Sequence, residues 1–312
     1  MSADSPDEAR GRESAAEEPR NAEAGTEWDA LRHAFGETVD SAGYVPRMAT
    51  ESLFSSVDQW RSQDVIGSTL AALVTQPGLG KTFFLRMVEQ RINLEASAAG
   101  KSARALYLPY AGVSAVDLCI LVYGLLGLQS PLADTSDASG EAVLALEALF
   151  DLSGGPADPF FLLLDDADSM PEETVQVLGQ VLPAERSPLR ILVALGDDAR
   201  SSQLLETLDS LEPSVAILRA TLSEEETALY LEAKVRQSGI SQAALERIGG
   251  LEAEQVSWVR TLSGGVPREI HRVITALIDS HVQGRPMGVM AQAQQADSAA
   301  DPIEDDLSSS EA

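Results

Sequence analysis

The chain has 312 residues, 44% of them hydrophobic, enough for one α/β domain with a smaller satellite or for two small domains. Its 49 acidic residues against 22 basic ones give a net charge of −27, which repels phosphate backbones and anionic membranes and sets broad nucleic-acid binding aside. The single cysteine, Cys119, excludes an internal disulfide and a cysteine-rich metal site, and its apolar neighbours mark it as a buried, inert thiol.

Residues 1–26 are rich in Glu, Ala, Ser, Arg and Pro without apolar periodicity and read as a disordered acidic tail. They lack the basic-then-apolar pattern of a secretory leader, so a cytoplasmic protein is expected. Thr69–Thr75 is a buried-strand candidate, followed by a Pro/Gly loop and a helix from about Lys81 to Asn93. Arg104–Pro109 is a second strand, and Ser114 can cap a helix through Leu126. The longest apolar stretch, Leu118 to Leu128, falls short of the roughly twenty residues a bilayer requires, so no membrane insertion is expected. A helix over Gly140–Leu152 precedes the fully apolar strand Phe160–Leu164. Then come a helix over Glu172–Leu182, a fourth strand Leu189–Leu195 and a fifth over Val215–Arg219.

From Leu222 the pattern turns helical. Ser223 and Glu226 form a capping box, the helix they open ends near Ser238-Gly239, another segment surrounds Trp258, and a last helix follows Gly264-Gly265-Val266-Pro267. The expected architecture is α/β: a five-stranded parallel sheet with flanking helices over 27–220, a small all-helical lid over 221–287, and a second disordered acidic tail over 288–312.

A strand, a Gly-rich loop ending in Lys-Thr and a helix is the arrangement a triphosphate needs. Glycines let backbone N–H groups turn toward the phosphates, and the helix N-terminus adds a favourable dipole. The run Gly78, Leu79, Gly80, Lys81, Thr82, Phe83 is therefore the candidate nucleotide cradle for ATP, with Lys81 reaching the β/γ oxygens and Thr82 ligating Mg²⁺. The full phosphate-loop pattern begins with Gly, whereas Thr75 stands there. Asp165-Asp166 close the apolar strand Phe160–Leu164, and ligands of open α/β sheets bind outside the carboxyl ends of strands. Asp165 is the candidate metal ligand, and Asp166 the candidate catalytic residue that polarises an attacking water.

The alternation, the two motifs and the helical lid resemble the AAA+ superfamily. Within it, Leu222-Ser223-Glu224-Glu225-Glu226-Thr227, Tyr230-Leu231 and Gly264-Gly265-Val266-Pro267-Arg268-Glu269-Ile270 resemble the secretion-type ATPases called ExeA or general secretion pathway protein A. Transposition regulators of the TniB type and origin-recognition ATPases are close relatives, and the similarity runs from about Trp28 to Leu277. The resemblance implies that the lid covers the nucleotide and that Arg268 is the sensor arginine at the γ-phosphate. The family's periplasmic and transmembrane parts have no counterpart here, so secretion does not carry over. Trp28, Phe35, Tyr44 and Trp60 flank the entrance to the core and read as N-terminal packing, although relatives place this segment near the base.

Several positions depart from the family pattern, and they concern hydrolysis more than binding. A positive φ at Thr75 would be costly for a β-branched residue. Asp166 stands where the family has Glu, one methylene longer. Asp197 occupies the sensor position after the fourth strand, where a neutral polar side chain is expected, and an added anion beside a triphosphate raises its energy. The segment 211–215 lacks an arginine, with Arg200 and Arg219 as candidate substitutes for an arginine finger.

The expected function is thus nucleotide binding with slow or partner-stimulated hydrolysis, a regulatory switch acting on an unidentified protein partner, with homo-oligomers left open. Two alternatives stay open: a DNA-transaction ATPase, against which the charge argues, and a binding module that does not hydrolyse its nucleotide. His33, His271 and His281 match no metal spacing.

Overall fold

Short apolar runs separated by helices can bury both sheet faces only if the strands run parallel with helices crossing over them. The computed structural model realises this arrangement; it describes residues 27–36, 43–62, 69–102, 104–125, 127–132, 139–152, 159–182, 189–240 and 253–283. The tails 1–26 and 288–312, the lid boundary at 287 and Leu126 lie outside these residues. Five strands, β1 (Leu70–Thr75), β2 (Ala105–Leu108), β3 (Phe160–Leu164), β4 (Leu189–Leu195) and β5 (Ser214–Leu218), pair in the order β2-β3-β4-β1-β5. Every pairing is parallel, with Leu164 level with Val193 and Val74 level with Leu195. All five carboxyl ends therefore lie along one edge, and the loop after β1 and the acids after β3 share it.

Strand periodicity divides the interior. Leu70, Ala72 and Val74 of β1 face one side, with Leu162, Leu164, Ile191, Val193 and Leu195. That side is covered by α4 (Ala115–Leu125), α5 (Ser139–Leu152), α6 (Glu172–Val181) and α7 (Ala199–Leu208). Ala71 and Leu73 face the other, with Phe161, Leu163, Leu192 and Ala194, beneath α2 (Met48–Ser62) and α3 (Lys81–Ala98). Trp60 is among the most deeply buried side chains there, at 1% exposure. Its carbonyl accepts a hydrogen bond from Arg190, a buried guanidinium on β4, at 3.1 Å.

The helix α3 runs five residues past Asn93, because Leu94 to Ala98 contains no breaker, and stops before Gly100 at φ 70°. Asn93 has a different role: its side chain accepts from the N–H groups of Arg104 and Ala105 and donates to the Ala105 carbonyl, pinning α3 to β2.

Among the described residues the lid comprises α8 (Glu224–Ser238), α9 (Ala253–Ser263) and α10 (Pro267–Val282). Both capping-box bonds between Ser223 and Glu226 form, and Gly239 ends α8 in the left-handed conformation. Its core includes Leu231, Val235, Val259, Ile270 and Ile274, joined by Leu31 of a helix over 27–34, α1, and by Phe35 just after it. A segment that precedes the sheet domain in sequence therefore packs with the lid, with Trp28 against the same core and Arg32 paired to Asp279. No helix among the described residues is long and apolar enough to cross a membrane.

Candidate functional site

Positive φ falls where the phosphate-loop motif has its glycines, at Gly78 (83°) and Gly80 (96°). Thr75 is different. It is the last residue of β1, level with Leu218 of β5, fully buried, and absent from the positive-φ residues. A β-branched side chain suits that extended position, so the strain expected for Thr75 does not arise. Gly80 is the N-cap of α3, with no side-chain cap and no heavy atom within 4 Å of where a Cβ would stand. The first N–H groups of this 18-residue helix thus have no side-chain cap from Gly80, and Lys81 and Thr82 stand in its first turn. Leu79 is buried beneath the loop, and its carbonyl accepts from Arg47 at 2.9 Å. Phe83 stacks on Tyr44, centroids 5.8 Å apart at 16°.

Asp165 and Asp166 are adjacent but differently held. Asp165 is 2% exposed; its Oδ2 accepts from the Tyr107 hydroxyl at 2.9 Å and its Oδ1 from the Asp166 N–H at 3.1 Å. Tyr107 is itself braced: its N–H donates to Glu89, and the Arg86 guanidinium lies 3.8 Å from its ring centroid. Asp166 lies on the exposed side of the strand end in the left-handed conformation, φ 48° and ψ 42°, at the start of a short 3₁₀ turn. Partial desolvation raises its carboxyl above the usual range, with Asp165 and Asp168 adding to the rise, while Lys81 and Arg268 pull it down. These two cations come from the phosphate loop and the lid, so three segments distant in sequence act on one carboxyl.

The lid meets the loop directly. The Arg268 N–H donates to the Gly78 carbonyl at 3.3 Å, and a Cβ on Gly78 would lie 2.8 Å from Val266 Cγ1 and 3.1 Å from Arg268 Cβ. On the other flank, Lys234 of α8 donates to the Gly43 carbonyl and Gln237 to the Tyr44 carbonyl. The stretch 43–47 therefore runs between lid and loop. Of the four N-terminal aromatics, Tyr44 alone contacts the cradle; Trp60 lies under the sheet, and Trp28 and Phe35 pack with the lid.

Asp197 requires a correction. Its carboxylate accepts two hydrogen bonds from Arg219, at 2.8 and 2.9 Å, which hold it below the usual carboxylate range. Its charge is matched by a cation of the same chain, so it does not add a bare anion beside the cradle. The same pairing engages Arg219, one of the two candidate finger arginines. The neighbouring acid, Asp198, caps α7 by accepting from the Ser201 N–H.

No protein-family model matches the chain, and no curated protein matches its sequence. Solved structures do. The ORC2 protein of Aeropyrum pernix, determined in ADPNP–ADP complexes, matches with a TM-score of 0.60 and 15% identity, over 81% of this chain and 68% of its own. Cdc6p from Pyrobaculum aerophilum matches with a TM-score of 0.58 and 16% identity, over 81% of this chain and 66% of its own. The chain thus spans about two thirds of the length of each. What is shared at such identity is the fold, which here is a five-stranded parallel sheet with flanking helices.

Proposed function

We propose that the protein binds ATP with Mg²⁺ and is a slow or partner-stimulated ATPase, a switch in which nucleotide governs how the lid rests on the phosphate loop. The reading is carried by the convergence of Lys81, Arg268 and the Asp165-Asp166 pair on one sheet edge, beside an uncapped helix N-terminus. The residues fit such a ligand. Gly78 and Gly80 hold the left-handed turns of a phosphate cradle, the space over Gly80 is open, and Asp165 is a fixed oxygen donor. Mg²⁺ bound with a nucleotide commonly takes only one or two carboxylates, so Asp165 and the Thr82 hydroxyl suffice as protein ligands.

When bound, Mg²⁺ neutralises charge on the phosphate oxygens. The chain supplies the rest: the α3 N-terminus and Lys81 bind anionic oxygens, Tyr107 orients the Asp165 carboxylate, and Arg268 brings lid charge to the same place. Asp166 is the base that would take a proton from water. Its short side chain supports slow turnover, since it reaches less far than a glutamate. Within the AAA+ fold, the lid sequence supports kinship with the ExeA and TniB-type ATPases, and a cytoplasmic location belongs to the same reading.

Calorimetric titration with ATP and Mg²⁺, followed by steady-state hydrolysis, tests the proposal. Saturable binding, much weakened in Lys81→Ala, is expected. If ATP and ADP shift lid protection equally, the protein is a binding module rather than a switch.

A further inference from the structure

We infer that the outer face of α4 is a docking surface for a protein segment that forms an amphipathic helix with a basic rim. The residues of α4, Ala115 to Leu125, are apolar on every side except at Asp117. A helix of that composition belongs in an interior. Only one of its faces is covered: Leu118, Cys119, Val122 and Tyr123 are buried, and the Tyr123 hydroxyl donates to the Ala145 carbonyl at 2.8 Å. On the other face Ile120 is 37%, Leu121 43% and Leu125 54% exposed, and Leu128 just beyond the helix is 39% exposed. Gly124 lies on the same face, and nothing stands within 4 Å of where its Cβ would be. On the neighbouring α5, Leu144 is 66% exposed. Leucine and isoleucine at this spacing form a contiguous apolar stripe, and such stripes on soluble domains are interaction sites.

Charge selects the occupant. No lysine, arginine or histidine stands between Arg104 and Arg186, so α4, α5 and α6 carry acids alone. Among the described residues of α4 and α5, Asp117, Glu141 and Glu147 are exposed charges. An anionic lipid surface is repelled by such a rim, which lacks the Lys and Arg that interfacial helices use. A second copy of this chain would bring one acidic rim against another. A helix with Leu-, Ile- or Met-like anchors at i, i+3, i+4 and i+7, flanked by Lys and Arg, satisfies both the stripe and the rim. The inference stands apart from nucleotide binding and does not fail with it.

The probe is a fluorescein-labelled Leu/Lys peptide of roughly 18 residues, long enough to hold a helix, with leucines in that stripe; a scramble of the same composition controls for attraction to an acidic protein. Fluorescence anisotropy on the full chain is expected to show the striped peptide binding about tenfold or more tighter than the scramble. The pair Leu121→Gln and Leu125→Gln should abolish that difference, whereas Leu94→Gln, altering a leucine 61% exposed on α3, should not. Hydrogen exchange on the unaltered protein, which needs no variant to fold, should show residues 116–128 protected by the striped peptide. Equal binding of the two peptides, or protection confined elsewhere, overturns the inference. So does self-association in sedimentation that the Gln pair removes, which assigns the face to a second copy. Flotation with phosphatidylglycerol vesicles that the Gln pair removes overturns it in favour of a membrane.

Discussion

The backbone N–H of Arg268 donates to the carbonyl of Gly78, so the first turn of the last lid helix rests on the second residue after Gln76 in the phosphate loop. Gly78 is tied to this contact in two ways. Its φ of 83° disfavours any side chain, and its Cα faces Val266 and Arg268 too closely to carry one. Gly80, at φ 96°, has only the first constraint.

The two glycines should therefore respond differently to alanine. Each substitution meets the left-handed penalty of about 1–2 kcal/mol. Gly78→Ala must also displace Val266, so its unfolding free energy should fall further, and exchange of the amides over 266–270 should rise. Urea denaturation and hydrogen exchange read both effects. Equal losses, with unchanged exchange in the lid, would show that the lid does not lean on Gly78.

Tyr107→Phe removes one of the two hydrogen bonds that the buried Asp165 carboxylate accepts. Bonds to charged groups contribute about 1.5–3 kcal/mol, so a stability loss in that range is expected. The variant should also lose more of the stabilisation given by ATP with Mg²⁺ than of that given by ATP with EDTA, because Asp165 is the proposed metal ligand. A uniform loss in the two titrations would reduce Tyr107 to packing.

Arg219→Ala tests the pairing with Asp197. An arginine finger is worth roughly 10³–10⁵ in rate, and the Arg219 guanidinium is instead directed at an acid of its own chain. Turnover should change by less than about tenfold, and the Asp197 carboxyl should titrate closer to its ordinary range by NMR. A drop of about a thousandfold or more would assign the finger to Arg219 after all.

His271 gives the fold a pH dependence. Burial, with Lys234 adding to it, lowers the imidazole to about 4, and its Nε2 lies 2.8 Å from the Tyr230 hydroxyl. The folded ring is then neutral where the unfolded ring, near 6.5, is protonated. Stability from this group is complete above about pH 6.5 and lost as pH falls toward 4, at most about 3 kcal/mol. Urea midpoints between pH 4.5 and 7 should rise more steeply in the unaltered protein than in His271→Phe. Parallel curves would remove His271 from the explanation and leave the carboxylates.

Much of this was legible in the chain itself. Strand ends fell within a residue or two because Thr69, Arg104, Pro109 and Arg219 bound apolar runs whose composition admits little else. The phosphate loop, the acids after β3 and the capping box at Ser223 are local chemistry, and local chemistry survives translation into sequence. Two sheet-covering helices went unread although signals exist: Leu53, Phe54, Val57 and Trp60 repeat at helical spacing in α2, and Asp198 precedes Leu204 and Leu208 in α7. The bracing of Asp165 by Tyr107 spans 58 positions, and the docking of Leu31 and Phe35 into the lid crosses the whole sheet domain. The Asp197–Arg219 pair spans 22, and Asp197 read as a bare charge until its partner was placed. No periodicity encodes contacts between such distant segments.

Calorimetric titration of the purified chain with ATP in the presence of Mg²⁺, beside Lys81→Ala, decides whether the cradle is a nucleotide site. Saturable binding at one site per chain, weakened about a hundredfold or more in Lys81→Ala as loss of a charge-assisted phosphate contact implies, is the expected result. An unaltered protein that takes up no ATP, while remaining folded, would contradict it.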